Sequence, residues 1–352
     1  MSINNKAENF KINAYADIAE LDPLDLDHAM RELPNWNIHG LTDAILDRAG
    51  KSVTTAGKIS ARGDAVAALR DLDFLAGSLV KHGIDPVQSV SGLETELLRL
   101  GAIAETVPRG TVYTYSVINP VDERMRTFTG SVEEKEFIGA VRVGTLALDQ
   151  AVTNISCSLE SPDSALSEAL ASSATNMDTM IASILKVREK VSPQFFTHEM
   201  RPFFDPLKIG GEKFTGAGGA QMQLIAVDRM LWGIDDSSEE YEAFYEENER
   251  YLTPAQRDSV NQFAQQGKGE SLLTLFEKNP EKYPLSIEQA ASLLRKIRKF
   301  RYPHRKVAQD NFNIRKAGSV GSGSYTTGIL DVLIDKTEHA MHRLEAVGDI
   351  QN

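Results

Sequence analysis

The sequence contains a single cysteine, Cys157, among its 352 residues. One cysteine excludes an intrachain disulfide and any zinc or iron–sulfur centre that is built from several cysteines. Such sparing use of cysteine is typical of a reducing compartment and predicts a cytoplasmic protein. The seven histidines then remain as the main candidates for metal ligation.

Long hydrophobic runs and excess positive charge are also missing. No stretch approaches the roughly 18–20 apolar residues of a membrane span, and the start MSINNKAENF lacks the pattern of a signal peptide. The formal net charge is -12, whereas nucleic acids and anionic membranes select proteins with a basic face. We therefore expect a soluble protein whose partner is a small molecule, and neither nucleic acid nor a membrane.

Apolar residues recur at helical spacing along most of the chain, as in residues 65–81, which Gly83 follows as a helix stop. Regular alternation of strands and helices is missing, which argues against Rossmann and barrel folds. The stretch Thr111–Ile118 is the main exception and predicts a strand or an extended linker. We predict an all-α protein with a small N-terminal helical domain (residues 1–110) and a large C-terminal helical domain (residues 111–352).

His304 lies in an unusually basic segment, KIRKFRYPHRKVAQDNF, and directly follows Pro303. Proline is favoured at the first position of a helix, so this order predicts that His304 lies in a first helical turn. The basic end of residues 287–300 would then mark the C-terminus of the preceding helix. A neutral imidazole can bind iron, and neighbouring guanidinium groups can pair with haem propionates. Taken alone, the segment fits a solvated basic helix end better than a metal site.

Arg201 lies among aromatic residues in the run SPQFFTHEMRPFFDPLKIGG. A guanidinium in such surroundings needs an anionic partner, because burying the charge alone is costly. The residues alone do not decide whether the partner of Arg201 is the carboxylate of a substrate or a carboxylate of the protein in an internal salt bridge. The four aromatic neighbours are Phe195, Phe196, Phe203 and Phe204.

Two glycine-rich segments allow the backbone to approach a ligand closely. Residues 216–220 (GAGGA) lack the GK[ST] ending of a phosphate-binding loop, and no clear strand precedes them in the sequence. Residues 321–325 (GSGSY) fit either a linker or a flexible lid over a site. His339 and His342 are three residues apart, but no partner motif accompanies them, so we predict that they lie on the surface.

Several segments taken together resemble a known family. They are LRDLDFLAGSLVKHGIDP (69–86), FTG (128–130), the run SPQFF…MRPFFDPLKIGG (192–211), FRYPHRKVA (300–308) and GSGSY (321–325). In this order they resemble the monodechloroaminopyrrolnitrin synthase family of pyrrolnitrin biosynthesis, within the indoleamine 2,3-dioxygenase superfamily. The resemblance spans most of the chain, and its ordered motifs are far more specific than any single one.

The resemblance implies an all-α, two-domain fold with haem b in the large domain and His304 as the iron ligand. It implies that Arg201 receives the substrate carboxylate and that dioxygen is the co-substrate, with electrons from an external reductant. No side chain is then expected to act as acid or base, because the haem iron carries the chemistry. The remaining implied haem contacts are Arg301, Asp228, Gly216, Ala217 and Gly218. The remaining implied substrate contacts are Phe137 and Ser322.

The sequence departs from the family pattern at Phe312, where that pattern has a tyrosine, and in the segment GAGGAQM. These departures leave several functions open. The first is a haem oxygenase acting on tryptophan or a tryptophan-derived, halogenated or unhalogenated substrate, with or without rearrangement of the indole. The others are an indole 2,3-dioxygenase giving N-formylkynurenine, a related haem enzyme for another amino-acid-derived metabolite, and a non-catalytic haem sensor, carrier or helical scaffold.

Overall fold

The structure, a computed structural model, describes residues 15–217, 222–235, 239–315 and 328–350, apart from a few side chains in these ranges. Gly218 and Ser322, for which the sequence predicts roles, lie outside the described residues, and so does the side chain of Phe312. The roles of Gly218 and Ser322 therefore stay predictions.

The described chain is overwhelmingly helical, which confirms the all-α prediction. The described chain begins with a helical turn at residues 15–19. The α-helices that follow are α1 (Asp27–His39), α2 (Thr42–Ala56), α3 (Arg62–Lys81), α4 (Pro86–Ser89), α5 (Leu93–Ala104), α6 (Val132–Ser156), α7 (Asp163–Lys190), α8 (Met222–Asp228), α9 (Glu239–Glu249), α10 (Pro254–Gln266), α11 (Leu272–Lys278), α12 (Pro284–Arg315) and α13 (Gly328–Ile350). A short antiparallel hairpin joins β1 (Leu207–Ile209) to β2 (Glu212–Phe214), with Leu207 opposite Phe214.

The chain divides into two compact units. Unit 1 comprises residues 1–142, 187–220 and 310–325, and unit 2 comprises residues 143–186, 221–309 and 326–352. The sequence-predicted boundary between residues 110 and 111 falls inside unit 1, and it stays a prediction about the domains.

Helix α3 forms the centre of unit 1. Almost every side chain from Ala65 to Leu79 is buried, and the helix packs mainly against α2 and α5. Gly77 lets α3 approach residues 201–204 closely, because a Cβ at this position would lie 2.7 Å from the carbonyl oxygen of Phe203. Larger residues at 77 would therefore separate α3 from the segment that carries Arg201.

A buried network of charged side chains joins α3 to other segments of unit 1. Asp71 accepts hydrogen bonds from Arg70 (2.7 Å) and Arg126 (3.1 Å), and all three side chains have no exposed surface. Arg70 also donates to the carbonyl oxygen of Ile118, and Arg126 donates to Asp27 of α1. Burial works to raise the pKa of Asp71, but the two arginines outweigh it and lower that pKa, so the carboxylate stays ionised.

Unit 2 packs α8 and the following turn against α9, α10 and α11, while α11 packs on α13. Each of its short helices has an apolar buried face, for example Phe244 in α9 and Phe276 in α11. Thr253 and Gln256 form a capping box that starts α10. The core of unit 2 therefore consists of helix against helix.

Two local predictions are wrong. Thr111–Ile118 forms no strand; it contains a π-helical turn, Tyr113–Val117, whose side chains are all buried. The histidine segment does not start a helix either, since α12 runs continuously from Pro284 to Arg315 with Pro303 inside it. Proline removes one backbone donor, but this amphipathic helix buries Leu293, Ile297 and Phe300 in the preceding turns, and packing outweighs the lost bond. A strand, β2, also precedes residue 216, which the sequence did not predict.

No described helix combines the length and the apolar character that crossing a membrane requires.

The network around Asp71 gives a stability prediction. Asp71→Leu should lower the free energy of unfolding by about 3–5 kcal/mol, because two buried guanidinium groups lose their shared anion. Denaturation by urea, followed by circular dichroism, measures this change. The matched control is Asp47→Asn, which breaks an exposed pair with Lys51 and should cost less than about 0.5 kcal/mol. Equal effects of the two variants would contradict a structural role for the buried network.

Candidate functional site

His304 lies in the interior of α12, one turn after Phe300, and its ring stacks on that phenyl ring with the centroids 5.4 Å apart. The imidazole is partly exposed, and no hydrogen bond to it is formed within the described residues. Surrounding protein desolvates the ring, and Arg301 adds a like charge, so the pKa of His304 falls to about 4. At neutral pH the ring is therefore uncharged and keeps a lone pair for a metal ion.

Arg301, one turn before His304, is buried and contacts two other helices of unit 2. Its guanidinium pairs with the carboxylate of Asp228 at the end of α8 and donates to the carbonyl oxygen of Leu333 in α13, 2.8 Å away. Burial raises the pKa of Asp228 to about 6, although Arg301 opposes this rise. The structure thus brings together Arg301 and Asp228, which the family resemblance assigned to the same part of the site.

The turn after α8 extends this buried region. Residues Arg229–Gly233 form a π-helical turn, and the ring of Trp232 lies against Tyr241 of α9 at 4.8 Å between centroids. Gly233 has no room for a side chain, since a Cβ there would overlap the hydroxyl group of Tyr241. The remaining oxygen of Asp228 faces the indole nitrogen of Trp232, and neither atom completes a well-formed hydrogen bond with a described residue.

Arg305 adds an unused donor beside His304. Its Nη2 pairs with Asp331 of α13 at 2.7 Å. Its Nε is buried, and no described residue accepts a hydrogen bond from it. A cation with a free buried donor next to a neutral imidazole suits an anionic group of a bound cofactor.

In unit 1, Arg201 begins a 3₁₀ turn (Arg201–Phe204) that follows a π-helical turn (Phe195–Met200). Its side chain is 6% exposed, and its Nη1 lies 3.0 Å from Oδ1 of Asp205, whose side chain is 41% exposed. Of the two partners that the sequence allowed for Arg201, the internal salt bridge is therefore present in this structure. π-Helical turns are rare and often lie at functional sites.

Aromatic rings surround this segment within unit 1. Phe203 stacks on Phe128 with centroids 4.3 Å apart, and Phe204 meets Tyr115 edge to face at 5.0 Å. Phe137 of α6 lies 5.5 Å from Phe196. Phe137 and Phe196 are partly exposed, whereas the others are buried. The structure thus joins the predicted substrate residue Phe137 to the aromatic run that precedes Arg201.

The hydroxyl group of Tyr115 is fixed by Glu134 near the start of α6. It donates to Oε1 of Glu134 at 3.1 Å, and the same carboxylate accepts from the backbone nitrogens of Phe128 and Thr129. Burial raises the pKa of Glu134, while these donors work against the rise. Every part of this contact is satisfied internally, so the cluster fixes the aromatic residues in position.

Arg109 connects residues 203–205 to helix α3. Its Nε lies 3.0 Å from Asp73, and its Nη2 donates to the carbonyl oxygens of Phe203 (3.4 Å) and Asp205 (3.2 Å). A Cβ at Gly216 would lie 2.9 Å from the Cα of Phe204 and 3.0 Å from this Nη2. Packing alone therefore explains why residue 216 is glycine, and the adjacent Ala217 is also buried.

The predicted residues thus fall into two groups, one in each unit. Arg201, Phe137, Gly216 and Ala217 belong to unit 1, whereas His304, Arg301 and Asp228 belong to unit 2. His339 and His342 are exposed, as predicted. Three further residues of unit 1 contribute to this region but were not predicted from the sequence, because no motif or spacing marks them. They are Arg109, Tyr115 and Asp205.

The family model of the monodechloroaminopyrrolnitrin synthase PrnB matches residues 55–347 of the 352-residue chain. The chain belongs to this family. The match covers helix α3, the segment with Arg201 and all of α12, so the resemblance noted from separate motifs is confirmed. The monodechloroaminopyrrolnitrin synthase family belongs to secondary metabolism, and its members are biosynthetic enzymes.

The ionisation of His304 leads to a prediction for the cofactor-free protein. A histidine with a folded pKa of about 4 and an unfolded pKa of about 6.5 binds more protons when unfolded. Stability therefore falls as pH decreases from about 6.5 to about 4. His304→Gln should remove this contribution, at most about 3 kcal/mol, to the fall in the free energy of unfolding at acid pH. Above about pH 7 the variant and the parent protein should show the same dependence of stability on pH.

Urea denaturation of both proteins across this pH range measures the difference. His339→Gln is the matched control, because His339 is exposed on α13. Parallel pH profiles for the parent protein and His304→Gln would show that the ring is not held in its neutral form.

Proposed function

We propose that this member of the monodechloroaminopyrrolnitrin synthase family is a haem b-dependent oxygenase that acts on tryptophan or a tryptophan-derived substrate. The observation that carries the proposal is the neutral, partly exposed imidazole of His304 with no described hydrogen-bond partner. One such imidazole is the usual protein ligand of a haem iron. Family membership supports the substrate class.

The donor set near His304 fits a haem. His304 would offer an imidazole nitrogen to the iron, and Arg305 would offer a propionate its buried Nε, which lacks a partner among the described residues. Arg301 is occupied by Asp228 and Leu333, so we propose that this pair orients α12 beside the cofactor. Gly216, Ala217 and Gly218 remain proposed cofactor contacts. When bound, haem supplies the redox chemistry by which dioxygen oxidises an indole.

The protein residues bind and orient the substrate. We propose that Arg201 receives its carboxylate, since a buried guanidinium gives a charge-assisted and directional contact. Phe137 and Phe196 offer partly exposed rings on which an indole can stack. Ser322 is proposed to lie in a loop that excludes water. Fixing the substrate in one orientation lowers the entropic part of the barrier.

The cofactor assignment predicts the result of a single substitution. His304→Ala should lose most bound haem, measured as Soret absorbance per protein after expression with a haem precursor. His339→Ala, which removes an exposed histidine from α13, should keep full occupancy. A His304→Ala protein with full haem content and an unchanged spectrum would overturn the ligand assignment.

If Arg201 binds the substrate carboxylate, its removal should lower the affinity only for ligands that carry a carboxylate. Arg201→Ala should retain haem but bind L-tryptophan more weakly by roughly 1.5–3 kcal/mol, the range for hydrogen bonds to charged groups. Its affinity for tryptamine, which has the same indole and amine, should not change. The substrate-induced shift of the Soret band measures both. Arg188→Ala, at an exposed helix end, controls for net charge, and equal losses for both ligands would contradict the proposed role of Arg201.

The reaction itself is tested with L-tryptophan, dioxygen and an external reductant, followed by product mass. Gain of two oxygen atoms indicates dioxygenation to N-formylkynurenine, whereas a different mass change indicates rearrangement of the indole. A coloured protein that leaves every tested indole amino acid unchanged would favour a haem sensor or carrier.

A further inference from the structure

The ion pair between Arg201 and Asp205 joins two side chains of very different exposure. Arg201 is almost fully buried, whereas 41% of the side-chain surface of Asp205 is open to solvent. The two residues are four positions apart along the chain, and Asp205 ends the 3₁₀ turn in an extended conformation. The exposed carboxylate can therefore rotate into water at low cost, but the guanidinium cannot follow it.

The backbone at Asp205 is held independently of its side chain. Arg109 donates to the carbonyl oxygen of Asp205 at 3.2 Å and to that of Phe203 at 3.4 Å. Arg109 is itself buried and paired with Asp73 of α3. Movement of the Asp205 carboxylate away from Arg201 therefore requires side-chain rotation alone, and residues 203–205 stay in place.

A buried guanidinium that loses its carboxylate is strongly destabilised unless another anion replaces it. An incoming carboxylate can take the place of Asp205 at Arg201, whereas an amine or a neutral indole offers no negative charge with which to do so.

We propose that Asp205 is a resident anion of Arg201, that the carboxylate of an incoming amino acid displaces it, and that this competition lowers the affinity for ligands that bind through a carboxylate. The inference rests on the proposed role of Arg201 in substrate binding. Asp205 is then a specificity-determining residue that weakens the binding of every carboxylate ligand by the strength of its own pair.

Asp205→Asn tests the inference, because the amide keeps the size of the side chain and removes the competing charge. The variant should bind L-tryptophan about two- to five-fold more tightly, in line with the modest strength of an ion pair that has one exposed member. Its affinity for tryptamine should stay the same. Both affinities are measured from the Soret shift of the haem-loaded, full-length protein, and KM for L-tryptophan should fall by the same factor.

Glu199→Gln is the matched control, since it removes one exposed carboxylate two residues from Arg201 without touching the pair. A purely structural pair would give unchanged or weaker binding of both ligands in Asp205→Asn, and that result overturns the inference. Tighter binding in both variants would indicate a general effect of charge and also overturns it. If the parent protein binds haem but shows no response to L-tryptophan, the proposed substrate role of Arg201 fails, and the inference fails with it.

Discussion

The ion pair of Arg301 with Asp228 is the interaction on which the candidate cofactor site depends. It joins α12 to α8, while the second contact of Arg301 reaches α13, so three helices of unit 2 meet at one guanidinium. His304 lies one turn further along α12 and takes its position from this junction. The protein around this pair also desolvates the imidazole and, together with the charge of Arg301, keeps it neutral. The junction of the three helices and the neutral state of His304 therefore both depend on Arg301.

The amino-acid sequence predicts the helices well because apolar residues recur at helical spacing, as in α5, and this periodicity reports burial on one face. It fails at Thr111–Ile118, where aromatic and β-branched residues have high strand propensity but tertiary packing imposes a π-helical turn. It also fails at Pro303, since the rule that places proline at a helix start ignores how much apolar surface a continuous helix buries. Both errors come from local rules that non-local contacts override.

The candidate site was predictable only in part, and the reason differs between residues. Composition singled out Arg201 and His304, and the family resemblance gave them roles, but neither source indicated what each side chain contacts. Asp205 forms an ion pair with Arg201, four residues earlier in the chain. Arg109 donates to carbonyl oxygens of residues almost a hundred positions away. Such contacts leave no repeating pattern in a single sequence, so only the folded chain reveals them.

Gly233 has a consequence for the way this family can diverge. The absence of a side chain there allows the hydroxyl group of Tyr241 to occupy the space of a Cβ, so the two positions share one volume. Neither can change size alone without a clash or a void. Over evolutionary time, glycine at 233 and tyrosine at 241 should therefore be inherited or replaced as a unit, and their co-variation would record this shared space in related sequences.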